Sequence, residues 1–599
     1  MSPPARASHP PKPRLCLSVG VTGHRDLEGE NLAHGRREAE RIFAILARTS
    51  ALADPQGIVA THETAVLSQL AAGADQMFAD VAVGAGIPLR VLLPFNLVDY
   101  AASLPEAARS KLRHLAGLAR GVWTAPGGVN DPERSYHVTG MVMLAQSDIL
   151  IALWDGEPGR GPGGTAAVID QAVRQGIPVI HIDPCGGPTR VLWSAFDHLG
   201  SERLELADAP SRPCDEAMLQ KLREDLLQPP TDPDQIRALD AYLAEQERRL
   251  RPRLEYPLLL AVAGIHTLKR SHLFVAPYDE KTRAEWSPFH THLTPLEIDS
   301  QGLLNDIQDA FSWSDQLADH YAQIYRGGTI LNYVAAAAAV LLALVGVLAP
   351  QIKPILLALE LISLSALIAN TVIGNRRQWH RRWLDYRYLA EQLRAMRSLK
   401  LVGAFGPRMG ANAQAAAAMP WTDWYAAAIW RGLGLPPNLR GGLDVERVVA
   451  GIAAHELEPQ IHYHEANSHR MHALDERLHR AGTALFVVSL AASLLGLLGY
   501  LARVPLVMES GEVLTVVGAA LPTIGAALFG IRGQSDFIGA ARRSEETARR
   551  LRRTLDRMRV GPMDLSLAAR LMEDAAQTMA ADLGEWRTTF LDRRLAIPS

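Results

Sequence analysis

Three short stretches of this chain collect the residue types that hold a phosphate. The first is Gly20, Thr22, Gly23, His24 and Arg25 in GVTGHRD; the second is Ala72, Gly73 and Asp75 in AAGAD; the third is Asp155 followed by Gly161, Gly163, Gly164 and Thr165 in DGEPGRGPGGT. Glycine lets backbone amides approach an anion, and Gly164 with Thr165 opens a helical pattern whose first amides and dipole favour negative charge. His24 and Arg25 either bind a phosphate or only cap and pack. A GxGGT turn alone is also an ordinary strand-to-helix connection, so weight rests on three such stretches following apolar runs. These residues form a candidate ligand-binding set, and none is assigned a catalytic role.

A second group lies inside an apolar run. Glu360, with Ser363, Ser365, Asn370 and Thr371, sits in PILLALELISLSALIANTVIG. An ionisable residue at the centre of a bilayer costs a few kcal/mol even on the lenient insertion scale, so Glu360 is expected to avoid lipid. Two roles stay open: Glu360, Ser363 and Asn370 line a polar path formed by several copies of the chain, or they only join helices by hydrogen bonds. The histidines His462, His464, His469, His472 and His479 have no ligand spacing tying them to Glu465 or Asp475, so no metal site is assigned and a polar amphipathic helix is expected. No Ser/His/Asp set, Walker loop or basic nucleic-acid stripe stands out. The three cysteines, Cys16, Cys185 and Cys214, form no CxxC pair, which argues against a disulfide framework or a thiolate zinc site and suits a reducing cytoplasm.

The loops need a scaffold. Apolar runs beginning at Leu15 and covering 64–70, 88–95, 147–155 and 178–183 read as strands, and helical stretches separate them at 32–48, in AAGADQMFADVAV, at 104–120 and in GGTAAVIDQAVRQG. Continuously apolar strands such as ILIALW and VIHI suit a sheet buried on both faces, and strands alternating with helices point to an α/β doubly wound parallel sheet, Rossmann-like, at residues 14–185. Ligands in such sheets sit beyond the carboxyl ends of the strands, where these stretches fall.

The second half has another character, hidden in a net charge of −3 and 48% hydrophobic residues over 599 positions. Windows 327–349, 354–374, 481–502 and 513–531 are long enough, at about 1.5 Å per residue, to cross or nearly cross a hydrocarbon core about 30 Å thick, and only Glu360 is charged among them. Short connections at 351–353 and 503–512 pair them into hairpins, giving an α-helical membrane region of four transmembrane helices. Arg376, Arg377, Arg381, Arg382, Arg387, Arg394, Arg397 and Lys400 follow the second window, and Arg532, Arg542, Arg543, Arg549, Arg550, Arg552 and Arg553 follow the fourth. The excess of basic residues predicts that both termini lie in the cytoplasm and both hairpin tips point outward from a multi-pass protein of the inner membrane. The arginine clusters hug the spans, where headgroup contact explains them better than nucleic acid.

The two hairpins repeat one plan: an entering polar helix, a span, a tight turn, a span and an arginine-rich helix. In the first copy, NRRQWHRRWLDYRYLAEQLRAMRSLKL has Trp379, Trp383, Tyr386 and Leu389 as an apolar face; it lies at the headgroups, packs on a neighbour, or is an ordinary solvated helix. The organisation expected is a loose tail at 1–13, the α/β domain at 14–185, a mainly helical linker at 186–326, the first hairpin with its exit helix at 327–400, a connector at 401–480, the second hairpin at 481–560 and a helical tail at 561–599. The run YPLLLAVAGIHTL is too short to span, and 305–325 is expected to connect the α/β domain to the first span.

GVTGHRD, LAAGADQMFADVA and SDILIALWDGEPGRGPGGTAAVIDQAV, followed by the VIHID strand, resemble the SLOG superfamily, which includes DprA-like and lonely-guy-like Rossmannoid domains. The likeness covers about residues 14–185. The hairpins look like the two-span SLATT effector domains found beside SLOG domains in bacterial conflict systems, a likeness of architecture more than of motif. Together the resemblances imply a nucleotide or ADP-ribose-type ligand, a lipid bilayer and further copies of the chain as partners, and a membrane-permeabilising role in phage defence. Lonely-guy enzymes cleave an N-glycosidic bond with a PGGxGTxxE motif, whereas the residue three beyond Thr165 is Val168. The carboxylate is missing from its place, and Asp170 lies about 200° further round a helix. Binding is therefore favoured over hydrolysis; a membrane-tethered nucleotide hydrolase or NAD-consuming enzyme is the alternative, and a passive scaffold with a vestigial site the third.

Overall fold

The computed structural model describes residues 8–27, 29–48, 57–157, 163–197, 205–296, 301–406, 419–590 and 594–598. The N-terminal domain is built on an eight-stranded sheet of order β4-β3-β2-β1-β5-β6-β7-β8. Its strands are β1 (Leu15–Gly23), β2 (His62–Ser68), β3 (Leu89–Leu93), β4 (Gly121–Thr124), β5 (Ile149–Leu153), β6 (Val179–Ile182), β7 (Arg190–Leu192) and β8 (Ser211–Pro213). The pairings from β4 through β6 are parallel; those of β6 with β7 and β7 with β8 are antiparallel, so the sheet is mixed and mostly parallel. The additions to the five expected strands are short edge pieces. In β4 only Trp123 is buried and β7 carries the exposed Arg190, so neither presents an apolar run to read.

Both faces of the sheet are covered, which explains the unbroken apolar strands. Leu17, Val19 and Val21 pack beneath α1 (Gly29–Leu46) and α2 (Ala74–Gly84), with α3 (Leu97–Ala102) and α4 (Glu106–Leu118) in the same layer. Leu67, Leu92, Leu150 and Ala152 face α5 (Pro132–Ala145) and α6 (Thr165–Arg174) on the other side. The stretch expected as a linker is largely absorbed into this body. Beyond β7 and β8, α7 (Glu216–Leu227) buries Leu219 and Leu222 in the first layer, and α8 (Pro233–Leu243) buries Leu239 and Tyr242. Asp215 and Asp232 cap these two helices by accepting hydrogen bonds from the amides of Met218 and Asp234. Residues 8–13 correct the reading of a loose tail: the Tyr425 hydroxyl donates to the Pro11 carbonyl at 2.6 Å, and the His9 ring lies 3.0 Å from the Glu245 carbonyl.

After α9 (Glu255–Val262) and α10 (Tyr278–Leu293), one helix, α11 (Gln301–Leu348), runs through the expected linker boundary into the first span. Its 48 residues give about 70 Å of length. A turn at Pro350–Ile352 leads into α12 (Lys353–Arg376), and α13 (Trp379–Leu401) returns along α11. Then come α14 (Trp421–Gly432) and α15 (Gly442–Ile452), joined by a π turn to α16 (Glu458–Leu501); α17 (Pro505–Glu509) forms the second tip, followed by α18 (Gly511–Ser535), α19 (Phe537–Arg559) and α20 (Leu565–Phe590). Four of these helices are long and apolar enough to cross a membrane, and they mark a multi-pass membrane protein. The first and fourth spans touch: a side chain on Gly530 would collide with the Tyr333 ring.

The exit helix α13 is a central strut, neither at headgroups nor solvated: 19 of its 23 residues are buried. Its arginines point into protein because carboxylates meet them there, Glu391 from α13 itself and the rest from other elements. Arg382 lies 2.7 Å from Glu245, Arg387 3.3 Å from Asp315 and 2.6 Å from Glu391, Arg394 3.2 Å from Glu285, and Arg397 3.3 Å from Glu456. Its counterpart α19 is amphipathic, burying Phe537, Ala541, Ala548, Leu551, Leu555 and Met558 while Arg549 and Arg550 pair outward with Glu545 and Glu546.

Candidate functional site

The chain reaches β2, β3 and β4 on one side of β1, then crosses to β5 and β6 on the other. The carboxyl ends of β1 and β5 therefore form a topological switch point, where the flanking connections diverge and leave a crevice. Gly23 and Leu153 are paired in register there, and the His24 amide donates to the Leu153 carbonyl at 3.2 Å. His24 Nε2 lies 2.8 Å from the Asp155 carboxylate and 3.2 Å from the Asp155 amide. Burial works against charge on Asp155, but the Glu157 amide and His24 outweigh it and hold the carboxyl below its usual range.

The second loop is locked to the first. Gly73 has φ 79°, and a Cβ there would sit 2.5 Å from the Arg25 carbonyl oxygen and 2.6 Å from that of His24. Only glycine satisfies both the backbone angle and that approach. The next amide, of Ala74, donates to the His24 carbonyl at 3.1 Å. Asp75, in the first turn of α2, is 5% exposed; burial pushes it up to about 7, against the Arg25 charge and hydrogen bonds from the amides of Ala71 and Gly23.

The third loop meets the first through a residue that gave no sequence signal. Tyr136, near the start of α5, stacks its ring 4.6 Å from the Arg25 guanidinium, and a Cβ on Gly163 would lie 2.9 Å from the Tyr136 Cβ. Phe95 and Tyr100 support the ring edge-to-face at 5.5 and 6.3 Å. Gly164 is the extended cap of α6 and supplies no side chain, leaving that helix start to backbone amides. Gly161 lies outside the described residues. Gly20 stands inside β1, where a Cβ would meet the Ser147 hydroxyl at 2.5 Å, so it is a packing position; Thr22, the next-to-last residue of β1, is 8% exposed. Ala72 occupies the turn before Gly73. Val168 is 3% exposed and Asp170 pairs with Arg174 at 2.8 Å, so no carboxylate stands at the lonely-guy position.

From this crevice α5 runs to the helical half. Val142 would be met at 2.9 Å by a Cβ on Gly403, the Lys400 ammonium donates to the Gln146 side chain, and Asp148 is 2.6 Å from Arg431. At the far edge, Trp123 Nε1 donates to the Pro437 carbonyl at 3.0 Å. The sheet domain is thus built onto α13 and α14, and α13 follows directly from the second span.

Within the spans, the candidate polar residues face their own hairpin. Ser363 donates to the Ala335 carbonyl at 2.9 Å; Asn370 donates to the Gly328 carbonyl at 3.0 Å and to Asn332 at 2.7 Å. Glu360, half-buried, lies on the same stripe of α12 as Leu356, Ser363, Leu367 and Asn370. Among the described residues, no group of three or more His, Cys, Asp or Glu side chains is placed to hold a metal ion.

Residues 309–404 match a family model described as a protein of unknown function, DUF4231. The match covers α11 from Asp309, the whole first hairpin and α13, the unit in which span and buried return helix are joined. No curated protein matches the chain.

Proposed function

We propose that the chain is a nucleotide-gated membrane effector: a nucleotide or ADP-ribose-type ligand binds at the switch point, and the resulting change in domain packing or oligomerisation rearranges the hairpins and permeabilises the membrane, as a SLOG domain coupled to SLATT-like effectors would in anti-phage conflict. The observation that carries this reading is the meeting of three small-residue loops at the β1/β5 crevice, in a domain whose α5 rests on the helix that follows the second span. The uncapped start of α6 and the Arg25 guanidinium suit a phosphate. In this reading the sheet domain and C-terminus lie in the cytoplasm of an inner-membrane protein and several copies assemble; in support, α5 of the sheet domain and the residue before α20 meet on one side of the spans, with Arg134 paired to Asp564. A ligand shifts such an equilibrium only through different affinity for the two states.

The test is dye leakage from liposomes holding the full-length protein, with adenine, cyclic and ADP-ribose-type nucleotides added singly. Ligand-dependent leakage that Gly164→Trp abolishes is expected. No leakage with any ligand, from protein shown to be folded, counts against the proposal. The His24–Asp155 pair favours a second reading, a membrane-tethered nucleotide N-glycosidic-bond hydrolase or NAD-consuming enzyme, in which the pair exchanges a proton with substrate. Release of a free base or nicotinamide from the same samples distinguishes it.

A further inference from the structure

Where the two repeats meet, α11 and α13 of the first face α16 and α19 of the second across a cavity of about 210 Å³. It lies at the level where the spans end. Arg326 in its wall directly precedes the first apolar window, and Gln534, Ser535 and Asp536 follow the fourth. Three carboxylates line it, and each has a cation of its own: Glu391 lies 2.6 Å from Arg387, Asp536 3.2 Å from Arg543, and Asp319 3.5 Å from Lys281.

Arg326 is the cation left over. Among the described residues it has no carboxylate partner, and its guanidinium rests on ring faces, 4.9 Å from the Trp383 centroid and 5.1 Å from that of Tyr256. His464, also in the wall, adds no charge at neutral pH: burial, with Arg387 and Arg394 against the opposing pull of Glu391, brings it down to about 4. Ser544, Thr547 and Asn467 supply neutral hydrogen-bonding groups opposite. A half-buried guanidinium without a counter-ion in a cavity is incomplete, and its planar fork suits a phosphoryl group better than any other common anion except a carboxylate. The volume is below the roughly 300–1,000 Å³ of drug-sized sites, which fits a phosphoryl group with a small substituent.

We propose that this cavity binds a phosphate ester through Arg326, with Trp383 and Tyr325 against its apolar part, and that occupancy clamps the two hairpins to each other. The site is separate from the β1/β5 crevice and does not depend on the reading of that crevice. Its position at the end of the spans admits either a phospholipid headgroup from the bilayer or a soluble phosphate.

Full-length protein in a phosphate-free detergent is followed by thermal unfolding in two arms. One titrates inorganic phosphate against chloride at matched ionic strength; the other titrates phosphatidic acid against diacylglycerol in mixed micelles. A saturable rise in Tm is expected in at least one arm, weakened at least tenfold in apparent affinity by Arg326→Gln and unchanged by Arg376→Gln, which alters an exposed arginine at the end of α12. A response to inorganic phosphate assigns a soluble ester, and a response to phosphatidic acid alone assigns the headgroup. The absence of saturable stabilisation in both arms overturns the proposal, as does an equal loss in the two variants. Should Arg326→Gln fail to fold, Arg326→Lys keeps the charge without the fork; a several-fold loss is expected from it, and wild-type affinity overturns the role of Arg326.

Discussion

Gln378 and Asp536 stand at the same joint in the two repeats, each in the left-handed backbone region, at φ 50°, ψ 44° and φ 46°, ψ 49°. Each joins the returning span to a helix that continues along the same long partner, α11 in the first repeat and α16 in the second, so the break between span and helix is made in both by one backbone device. A left-handed conformation costs a non-glycine residue roughly 1–2 kcal/mol. Gln378→Gly is therefore expected to be neutral or to stabilise by up to about 1 kcal/mol, and Gln378→Val to destabilise by a similar amount. Asp536→Gly differs, because the Asp536 carboxylate accepts from the Gly539 amide at 3.2 Å and pairs with Arg543. Relief of strain is offset by loss of the cap, so Asp536→Gly is expected to lower Tm while Asp536→Asn preserves it. Thermal unfolding of the four variants in detergent decides; a loss of Tm in Gln378→Gly contradicts the strain account.

The buried charges around α13 give the second prediction. Asp315, Arg387, Glu391 and Arg394 form one cluster inside the bundle. Burial opposes ionisation of Asp315, and Arg387 and Arg394 outweigh it, so its carboxyl lies below the usual range. Removing one partner leaves an uncompensated buried charge, which typically costs about 3–5 kcal/mol. Arg394→Met is expected to abolish monodisperse expression or lower Tm steeply, and Arg394→Met with Asp315→Leu to recover part of the loss. If the double variant is no better than the single one, the ion pair is not what the arginine provides.

This cluster also marks where sequence reading stops. Patterns local in the chain were legible: the apolar strands, the four spans, the repeat, and the small residues beyond β1, β2 and β5. The fate of the arginines was not, because their counter-charges come from far away, Asp315 72 positions before Arg387 and Glu456 59 positions after Arg397. A helix that reads as basic and amphipathic is neutralised by elements that only the fold brings near. The orientation rule loses weight by the same fact, since of the eight basic residues after the second span only Arg376 and Arg377 are exposed. Tyr136 was invisible for a similar reason: a lone tyrosine in PERSYHV acquires a role only when Arg25 and Gly163 close on it.

Asp75 supplies a pH prediction. Its folded pKa, about 7, lies above the ordinary 3.8, so the native state holds this proton more tightly than the unfolded chain does. Stability linked to it is complete below about pH 4 and is lost as pH rises through 7, an effect of a few kcal/mol. Asp75→Asn removes the titration while keeping the shape. It is expected to raise Tm at pH 8.5 and to change it little at pH 4.5. Equal shifts at the two pH values would remove Asp75 as the titrating group.

The C-terminal segment offers the last prediction. Leu595 is 5% exposed, its amide donates to Asn375 Oδ1 at 2.9 Å, and Asn375 Nδ2 donates back to its carbonyl at 3.1 Å. One residue further, the Ala596 carbonyl accepts from Asn332 at 3.0 Å, and Asn332 also reaches Thr371 on α12 at 2.8 Å. The tail is therefore held by α11 and α12 together, against Gly374 and Trp379. Leu595→Asp places a carboxylate in that apolar seat, but the segment can detach without unfolding the bundle, so the cost is limited to the free energy of local opening. The expected result is a C-terminus that becomes rapidly cleavable by a nonspecific protease while Tm falls only slightly, with Asn375→Ala giving the same pattern from the other side of the contact. If the hairpins permeabilise the membrane as proposed, leakage in the absence of ligand is expected to rise in both variants, because the strap that ties the first span to the second has been released; protection equal to wild type in Leu595→Asp rules the strap out.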